Sequence, residues 1–352
     1  MTSITISRGA VRRNLEKLRG MTEARIMAVL KCNGYGMGLT GFARLLQAEG
    51  VDRFAVSRPE EALALRGDGF DASLLLLSPV WERETILRLE ELGVTMTVAS
   101  PEHAACMSDA LASAGRTPGV HLAVDTGMHR YGFTRDELEK LDPSPFSFRI
   151  AGLFTHFYAS VDDRLTTEQH AEFMGCAELL RERGVSPGLL HCCASNAFLR
   201  HPEMHHDLVR LGSALVGTPD GLERIWRFET AAASIRTLPK GSPLGYGGWK
   251  LRKDAAVASL PVGFSDGMML ERFEPLGFYG ALRRFGKDIL RPSAPIRVLY
   301  QGQEVPVLGG AGTTHLSVDV TGTGAKPGDR FEIVSNPMFL SPSIPREFVE
   351  EL

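Results

Sequence analysis

Residues 26–38 read Ile26-Met27-Ala28-Val29-Leu30-Lys31-Cys32-Asn33-Gly34-Tyr35-Gly36-Met37-Gly38, a short apolar strand running into a lysine and a glycine-spaced loop. A strand that ends by presenting an amine at a mobile turn suits covalent work on a carbonyl. Lysine forms Schiff bases, and its pKa falls readily on partial burial. The glycines leave room for a ligand, and Tyr35 offers a hydroxyl beside it. From these residues alone, a solvated lysine in an ordinary turn is the commoner reading.

The same unit recurs along the chain. Periodicity predicts strands over Ile26–Leu30, Arg53–Ser57, Leu74–Ser78, Thr95–Ala99, Val120–Asp125, Ile150–His156, Leu189–Cys193 and Leu208–Leu211. Helix-like segments alternate with them, including Gly41–Glu49, Pro59–Arg66, Trp81–Leu92, Pro101–Ala114 and Thr166–Arg183. Eight such alternations over roughly 200 residues are what a parallel (β/α)8 TIM-type barrel requires, with a doubly wound open sheet as the competing architecture. After about Glu229 the pattern changes to β-type runs punctuated by Gly and Pro: Ala255–Val262, Ile296–Tyr300, Glu304–Leu308, His315–Val320 and Arg330–Val334. The expected organisation is therefore α/β, an N-terminal barrel over residues 9–228 and a C-terminal mostly β domain over 229–352, joined by residues 1–8.

With 43% hydrophobic and 23% charged residues, the 352-residue chain has the composition of an ordinary folded protein. A formal net charge of −3, from 39 basic and 42 acidic residues, gives no electrostatic reason to expect nucleic acid or an anionic membrane. No secretory leader and no run of the ~18 apolar residues needed to span a bilayer is expected. Five cysteines, two of them neighbours, make no disulfide framework, so a reducing cytoplasmic setting is the expectation.

In a barrel, chemistry gathers where strands end. At those ends the sequence places Lys31, Asp125-Thr126-Gly127-Met128-His129-Arg130, Thr155-His156, His191 through Asn196, and Arg210-Leu211-Gly212-Ser213. One amine, two arginines, histidines, a serine and glycine-rich backbone on one face make a pocket for an anionic ligand. His191, Cys192, Cys193, His201, His205 and His206 invite a metal reading. Their spacing matches no usual zinc pattern, and adjacent thiols chelate one ion awkwardly, so no metal is expected. The cysteines are read instead as small apolar residues.

Together these segments resemble the alanine racemase family of fold-type III pyridoxal 5'-phosphate enzymes, as a divergent member. The segment Ala28 to Gly38 is similar to the family's cofactor-attachment motif, with Lys31 at the Schiff-base position and Tyr35 at a phosphate contact. Val124 to Phe133 resembles its DTGM segment, which implies a role for Arg130 near the substrate carboxylate. Gly152-Leu153-Phe154-Thr155-His156 supplies His156 to pack against the cofactor ring. Ser195 falls at a phosphate-binding serine, Arg210 at the partner of the pyridine nitrogen, and Gly212 and Ser213 at backbone facing the phosphate. Leu244-Gly245-Tyr246-Gly247 is similar to the segment bearing a second base. The resemblance thus implies an amino-acid racemase or epimerase that exchanges the Cα proton between Lys31 and Tyr246. It also implies a head-to-tail homodimer with shared active sites.

The match breaks at particular residues. Thr313-Thr314-His315, preceded by Gly309-Gly310-Ala311-Gly312, stands where the family has a Met-Asp-Gln segment narrowing the pocket, so Thr313 and Thr314 are expected at a more open substrate gate. Pro342 replaces a phosphate-binding tyrosine, Ala194 a common asparagine, and Ala123 a lysine, often carbamylated, that orients the arginine matched by Arg130. These losses predict a substrate larger than alanine and a less firmly held Arg130. Decarboxylation, elimination or retro-aldol cleavage on the same scaffold, and a degenerate pyridoxal-phosphate-binding protein, stay open.

Overall fold

Eight parallel strands form one sheet in the order Leu189–His191, Arg149–Phe154, Gly119–Ala123, Val94–Val98, Ser73–Leu76, Arg53–Val56, Arg25–Val29 and Leu208–Leu211. Its two edges meet. Ala194 bridges Arg210, the Arg210 N–H donates to Cys193 O at 2.9 Å, and Leu190 N–H donates to the Asp207 carboxylate at 2.8 Å. The fold is a (β/α)8 barrel with a C-terminal mostly β domain, seen in a computed structural model that describes residues 1–113, 115–245, 247–268 and 296–352. Two compact units result: Arg8–Ile225, and Met1–Ser7 together with Trp226–Leu352.

The barrel strands are near-continuous apolar runs because both faces are covered. Met27, Val29, Ala55, Leu75 and Leu208 make one interior cluster; Ala99, Ala123 and Phe154 make another, against Leu77 and Tyr131. The same unit also buries three polar side chains, His121, His191 and Arg210, all at least nine-tenths covered. A register shift after Val120 sets His121 opposite Gly152. Glycine is needed there, since a Cβ at 152 would lie 2.6 Å from the His121 ring.

Several strands end one or two residues before the sequence pattern predicts. The expected runs to Asp125, His156 and Cys193 stop at Ala123, Phe154 and His191. Beyond those points the backbone leaves the ladder, and its carbonyls serve side chains in the barrel mouth.

In the second unit, Ser3–Ser7 lies inside a six-stranded sheet, between Trp226–Ala231 and Arg346–Val349. It pairs antiparallel with the former and parallel with the latter. With Ile4 and Ile6 fully buried, this five-residue strand stands apart from the alternating pattern. The predicted strand Glu304–Leu308 is instead two. Pro306 lacks a ladder N–H, so Gln303–Val305 joins the six-stranded sheet and Val307–Leu308 a separate four-stranded one. Among the described residues no helix is long and apolar enough to cross a membrane.

The contact of His121 with Gly152 gives a direct test of the interior. Replacing Gly152 with Ala forces the imidazole off its seat, at about 1–3 kcal/mol of overpacking. Urea unfolding of Gly152→Ala should show a lower midpoint with an unchanged slope; an unaltered midpoint would mean that the ring is not confined there.

Candidate active site

Lys31 follows the first barrel strand in an unusual turn. Cys32, Asn33, Gly34 and Tyr35 all adopt left-handed backbone, with φ of 56°, 56°, 63° and 55°. For the three non-glycine residues this costs roughly 1–2 kcal/mol each. Hydrogen bonds hold the turn in place. Gly34 N–H donates to Leu30 O at 2.8 Å, Gly36 N–H to Cys32 O at 2.9 Å, and the Asn33 side-chain oxygen accepts from Leu39 N–H at 2.8 Å. Glu61 clamps it from the first turn of the helix Pro59–Gly67. One carboxylate oxygen accepts from Cys32 N–H at 3.0 Å, the other from Ser57 and Arg58. The lysine therefore sits on a pinned turn, where the sequence alone reads as a mobile one.

The left-handed turn carries Tyr35 across the barrel mouth to Gly212. A Cβ at 212 would meet the Tyr35 ring and hydroxyl at 2.3–2.4 Å, so only glycine admits the phenol. Burial, and then the neighbouring Cys32, raise the Tyr35 pKa to about 12, which keeps it a neutral donor. The Lys31 amine lies 5.8 Å from the centre of its ring. Beneath, Ser195 Oγ accepts from Gly212 N–H at 3.2 Å and Ala214 N–H at 3.1 Å. Ser213 lies in the turn so formed, closed by Leu215 N–H to Gly212 O and Thr218 N–H to Ser213 O.

Arg210 is 4% exposed, and its fork is almost fully occupied. One terminal nitrogen donates to His191 Nδ1 at 2.9 Å and His191 O at 2.6 Å; the other donates to Thr155 O at 2.6 Å and Cys192 O at 3.3 Å. Four acceptors thus meet the four Nη–H groups. Among the described residues, none takes the remaining Nε–H. Since His191 accepts at Nδ1, its proton sits on Nε2 and donates to His121 Nδ1 at 2.8 Å. Burial, together with the charge of Arg210, pushes His191 well below its ordinary pKa. Burial, then Arg53 and Arg210, lowers His121 to about 4. Both rings are neutral at physiological pH.

His156 feels the rest of the site. Its pKa falls to about 3, first through burial and then through the charges of Arg210, Arg130 and Lys31. Three cations therefore converge on one neutral imidazole at the barrel mouth. Arg130 rides on a loop whose base is closed by Asp125 N–H to Phe133 O at 3.0 Å and Phe133 N–H to Ala123 O at 2.7 Å. Its guanidinium carbon lies 4.8 Å from the centre of the Tyr131 ring, and one Nη–H donates to the Tyr131 hydroxyl at 3.3 Å. That hydroxyl in turn donates to Leu77 O at 2.9 Å. Tyr131 is the support that sequence reading misses; its position directly after Arg130 was the available signal.

The barrel thus brings together Lys31, Tyr35, Arg130, His156, Ser195, Arg210, Gly212 and Ser213. Thr313 and Thr314 belong to the β unit, both exposed. There Thr313 O accepts from Ser265 N–H at 3.0 Å and the Ser265 hydroxyl at 2.7 Å, while the Thr314 hydroxyl pairs with His315 Nδ1 at 3.0 Å. Tyr246 lies outside the described residues, flanked by Gly245 and Gly247 at positive φ. His201 and His205 are scaffold. The first faces Glu203, and the second bonds Thr22 and Phe198 O.

These barrel residues fit pyridoxal 5'-phosphate. The Ser195 hydroxyl, the Tyr35 hydroxyl and the backbone of Gly212 to Ala214 gather at one place, which a Cβ at 212 would close to the phenol, and these are groups suited to a phosphate. The Arg210 Nε–H would be a donor to the ring nitrogen, and Lys31 would supply the amine for the aldehyde.

Comparison with known proteins agrees. The alanine racemase N-terminal domain matches residues 6–220 and the C-terminal domain residues 225–342. The alanine racemase of Methanococcus maripaludis is 30% identical over 338 residues, covering 90% of this chain and 84% of that protein. That of Treponema pallidum is 33% identical over 282 residues, covering 74% of each. The solved alanine racemase of Clostridium difficile 630 superposes with a TM-score of 0.86 at 23% identity, over 100% of this chain and 97% of that one, a likeness of fold. With both domains matched in order along one polypeptide, the chain belongs to the alanine racemase family, whose enzymes depend on pyridoxal 5'-phosphate.

Proposed function

We propose that this protein racemises or epimerises an amino acid larger than alanine, using Lys31 and Tyr246 as the bases on opposite faces of Cα. The observation that carries the reading is the occupied fork of Arg210. Pyridoxal phosphate, when bound, supplies an aldehyde for the amino group and a ring that withdraws electrons from Cα. A guanidinium cannot accept the ring-nitrogen proton, and here its four Nη–H groups are committed to barrel acceptors. Arg210 would therefore donate to the ring nitrogen and leave it unprotonated, which would keep the electron sink weak. A weak sink favours guarded proton exchange over decarboxylation.

The other residues have matching tasks. Ser195, Tyr35 and the backbone of Gly212 and Ser213 bind the phosphate. His156, held neutral, packs on the ring without competing for its charge. Arg130 draws the substrate carboxylate, oriented by Tyr131. Lys31 holds the cofactor and then moves a proton at Cα. Tyr246 acts from the opposite face, supplied across a head-to-tail homodimer interface. The exposed Thr313 and Thr314, with Gly309–Gly312 before them, replace a bulky charged segment expected from the family and widen the gate. The five thiols form no disulfide, which suits a reducing cytoplasm.

Incubated with single-enantiomer amino acids in heavy water, the loaded enzyme should exchange Cα–H with inversion, faster for larger side chains than for alanine. Proton NMR and chiral chromatography read both quantities; carboxylate loss, or activity on alanine alone, would overturn the assignment. Shared sites predict complementation. Lys31→Ala and Tyr246→Phe, each inactive alone, should recover about a quarter of wild-type turnover when mixed and reassociated, because half the dimers are mixed and each completes one of two sites. Sites built within single subunits would recover none. Tyr131→Phe removes the hydroxyl between Arg130 and Leu77 O. It should raise KM roughly tenfold, about 1.4 kcal/mol, and leave the visible spectrum of the cofactor unchanged. An unaltered KM would free Arg130 from this support.

A further inference from the structure

Outside the barrel mouth, three side chains from separate segments converge. His170 lies on the helix Asp163–Glu182, Cys192 directly follows the strand Leu189–His191, and His206 precedes the strand Leu208–Leu211. Their Nε2, Sγ and ring-nitrogen atoms all lie within 4.8 Å of one another. Cys192 is fully buried, while both histidines are half-buried, so the cluster is reachable from solvent on one side. His170 Nε2 and His206 Nε2 stand 2.8 Å apart. With ring centroids 5.1 Å apart and planes 17° apart, that separation requires the rings to meet edge to edge, nitrogen to nitrogen.

Backbone conformation is spent on this arrangement. His206 holds φ at +49°, a left-handed value that costs a non-glycine residue about 1–2 kcal/mol. Strain of that kind persists where surrounding structure enforces it, and it collects at functional positions. A direct nitrogen-to-nitrogen contact also uses one proton where two imidazoles each offer a lone pair. A cation that accepts both lone pairs would take the place of that shared proton, with the Cys192 thiolate as a third donor.

We infer that His170, Cys192 and His206 form a binding site for a divalent transition metal, with Zn2+ as the ion that fits the donor set. Two imidazoles and one thiolate are the nitrogen and sulfur ligands zinc takes, at about 2.0–2.1 Å to nitrogen and 2.3 Å to sulfur. Tetrahedral placement needs the two nitrogens to part by roughly 0.5 Å and the longest ligand separation to close by roughly 1 Å. Rotations of the two ring side chains supply both. Cys192 and Cys193 both direct their thiols to Met204 O at 3.2 Å, but only the Cys192 sulfur lies within 4.8 Å of both histidine nitrogens, so the fourth position is left to water. Within the segment 191–206 the spacing matches no usual zinc pattern, and the sequence alone predicts no metal there. The third ligand comes from another helix, where spacing carries no signal.

Such an ion would pin the connection between the last two barrel strands. Cys192 O accepts from Arg210 at 3.3 Å, so the metal would stand one residue from the support of the guanidinium. Its role is positional, outside the chemistry at Cα.

The test uses the holoenzyme, stripped of metal by chelator and desalted free of unbound cofactor and amino acid. Titrated with Zn2+ and then desalted, it should retain one equivalent per chain by mass spectrometry. His170→Gln and His206→Gln should each weaken retention at least tenfold in competition with a chromophoric chelator. With Co2+ as probe, a thiolate-to-cobalt charge-transfer band should appear, vanish in Cys192→Ser and persist in Cys193→Ser. Circular dichroism on each variant separates ligand loss from misfolding, and His170→Gln, on a half-buried helical face, serves if Cys192→Ser does not fold. Retention below a tenth of an equivalent, or wild-type affinity in either histidine variant, would overturn the site.

Discussion

A guanidinium sealed inside the barrel is the constraint on which the rest of this structure depends. An unpaired buried charge is prohibitive, and breaking the partnerships of one costs about 3–5 kcal/mol. Arg210 is tolerable at 4% exposure only because four acceptors surround it. Three are main-chain carbonyls, of His191, Cys192 and Thr155. Two of these lie just past the ends of their strands. The early ends of Arg149–Phe154 and Leu189–His191 and the solvation of the arginine are therefore one fact seen twice. The fourth acceptor fixes the proton on His191 Nε2, which fixes His121 as the next acceptor. His121 in turn requires a glycine opposite, and the register shift after Val120 delivers Gly152.

The lysine turn answers a different demand, that of placing two functional groups from one short segment. In right-handed backbone, Tyr35 would follow Lys31 around an ordinary helical turn. Four consecutive left-handed residues carry the phenol over Gly212 instead. Glu61 offsets part of the strain by accepting three backbone N–H groups from two loops. The amine and the phosphate contact are thereby set against each other by backbone, with little left to side-chain freedom.

The eight alternations and the motif at Lys31 were legible because each is local: apolar runs of four or five residues, and spacing along one segment. The parallel barrel and its mouth residues follow from them. What was not legible depends on partners distant in sequence. Ser3–Ser7 stands apart from the alternating pattern, and only its neighbours Trp226–Ala231 and Arg346–Val349 give it a place in a sheet. Pro306 could have been read as a break, since its missing N–H divides Glu304–Leu308 between two sheets. The left-handed turn could not, because Cys32 and Tyr35 carry no intrinsic preference for it. His170 was invisible beside Cys192 for the same reason: helix and strand end meet only in the folded chain.

Position 123 shows how a loss read from sequence changes meaning in three dimensions. An alanine in place of a lysine reads as weaker support for Arg130. In the folded barrel Ala123 packs into an apolar cluster with Ala99 and Phe154, against Leu77 and Tyr131. Support for the arginine comes instead from the Tyr131 ring and hydroxyl, anchored on Leu77 O. The two arrangements differ electrostatically. A carbamylated lysine is an anion and would share the charge of Arg130, whereas a phenol is neutral and leaves it for a ligand. Support from a neutral phenol thus leaves more charge available to a carboxylate. A pocket that holds a longer side chain, and positions it less tightly, gains from that exchange.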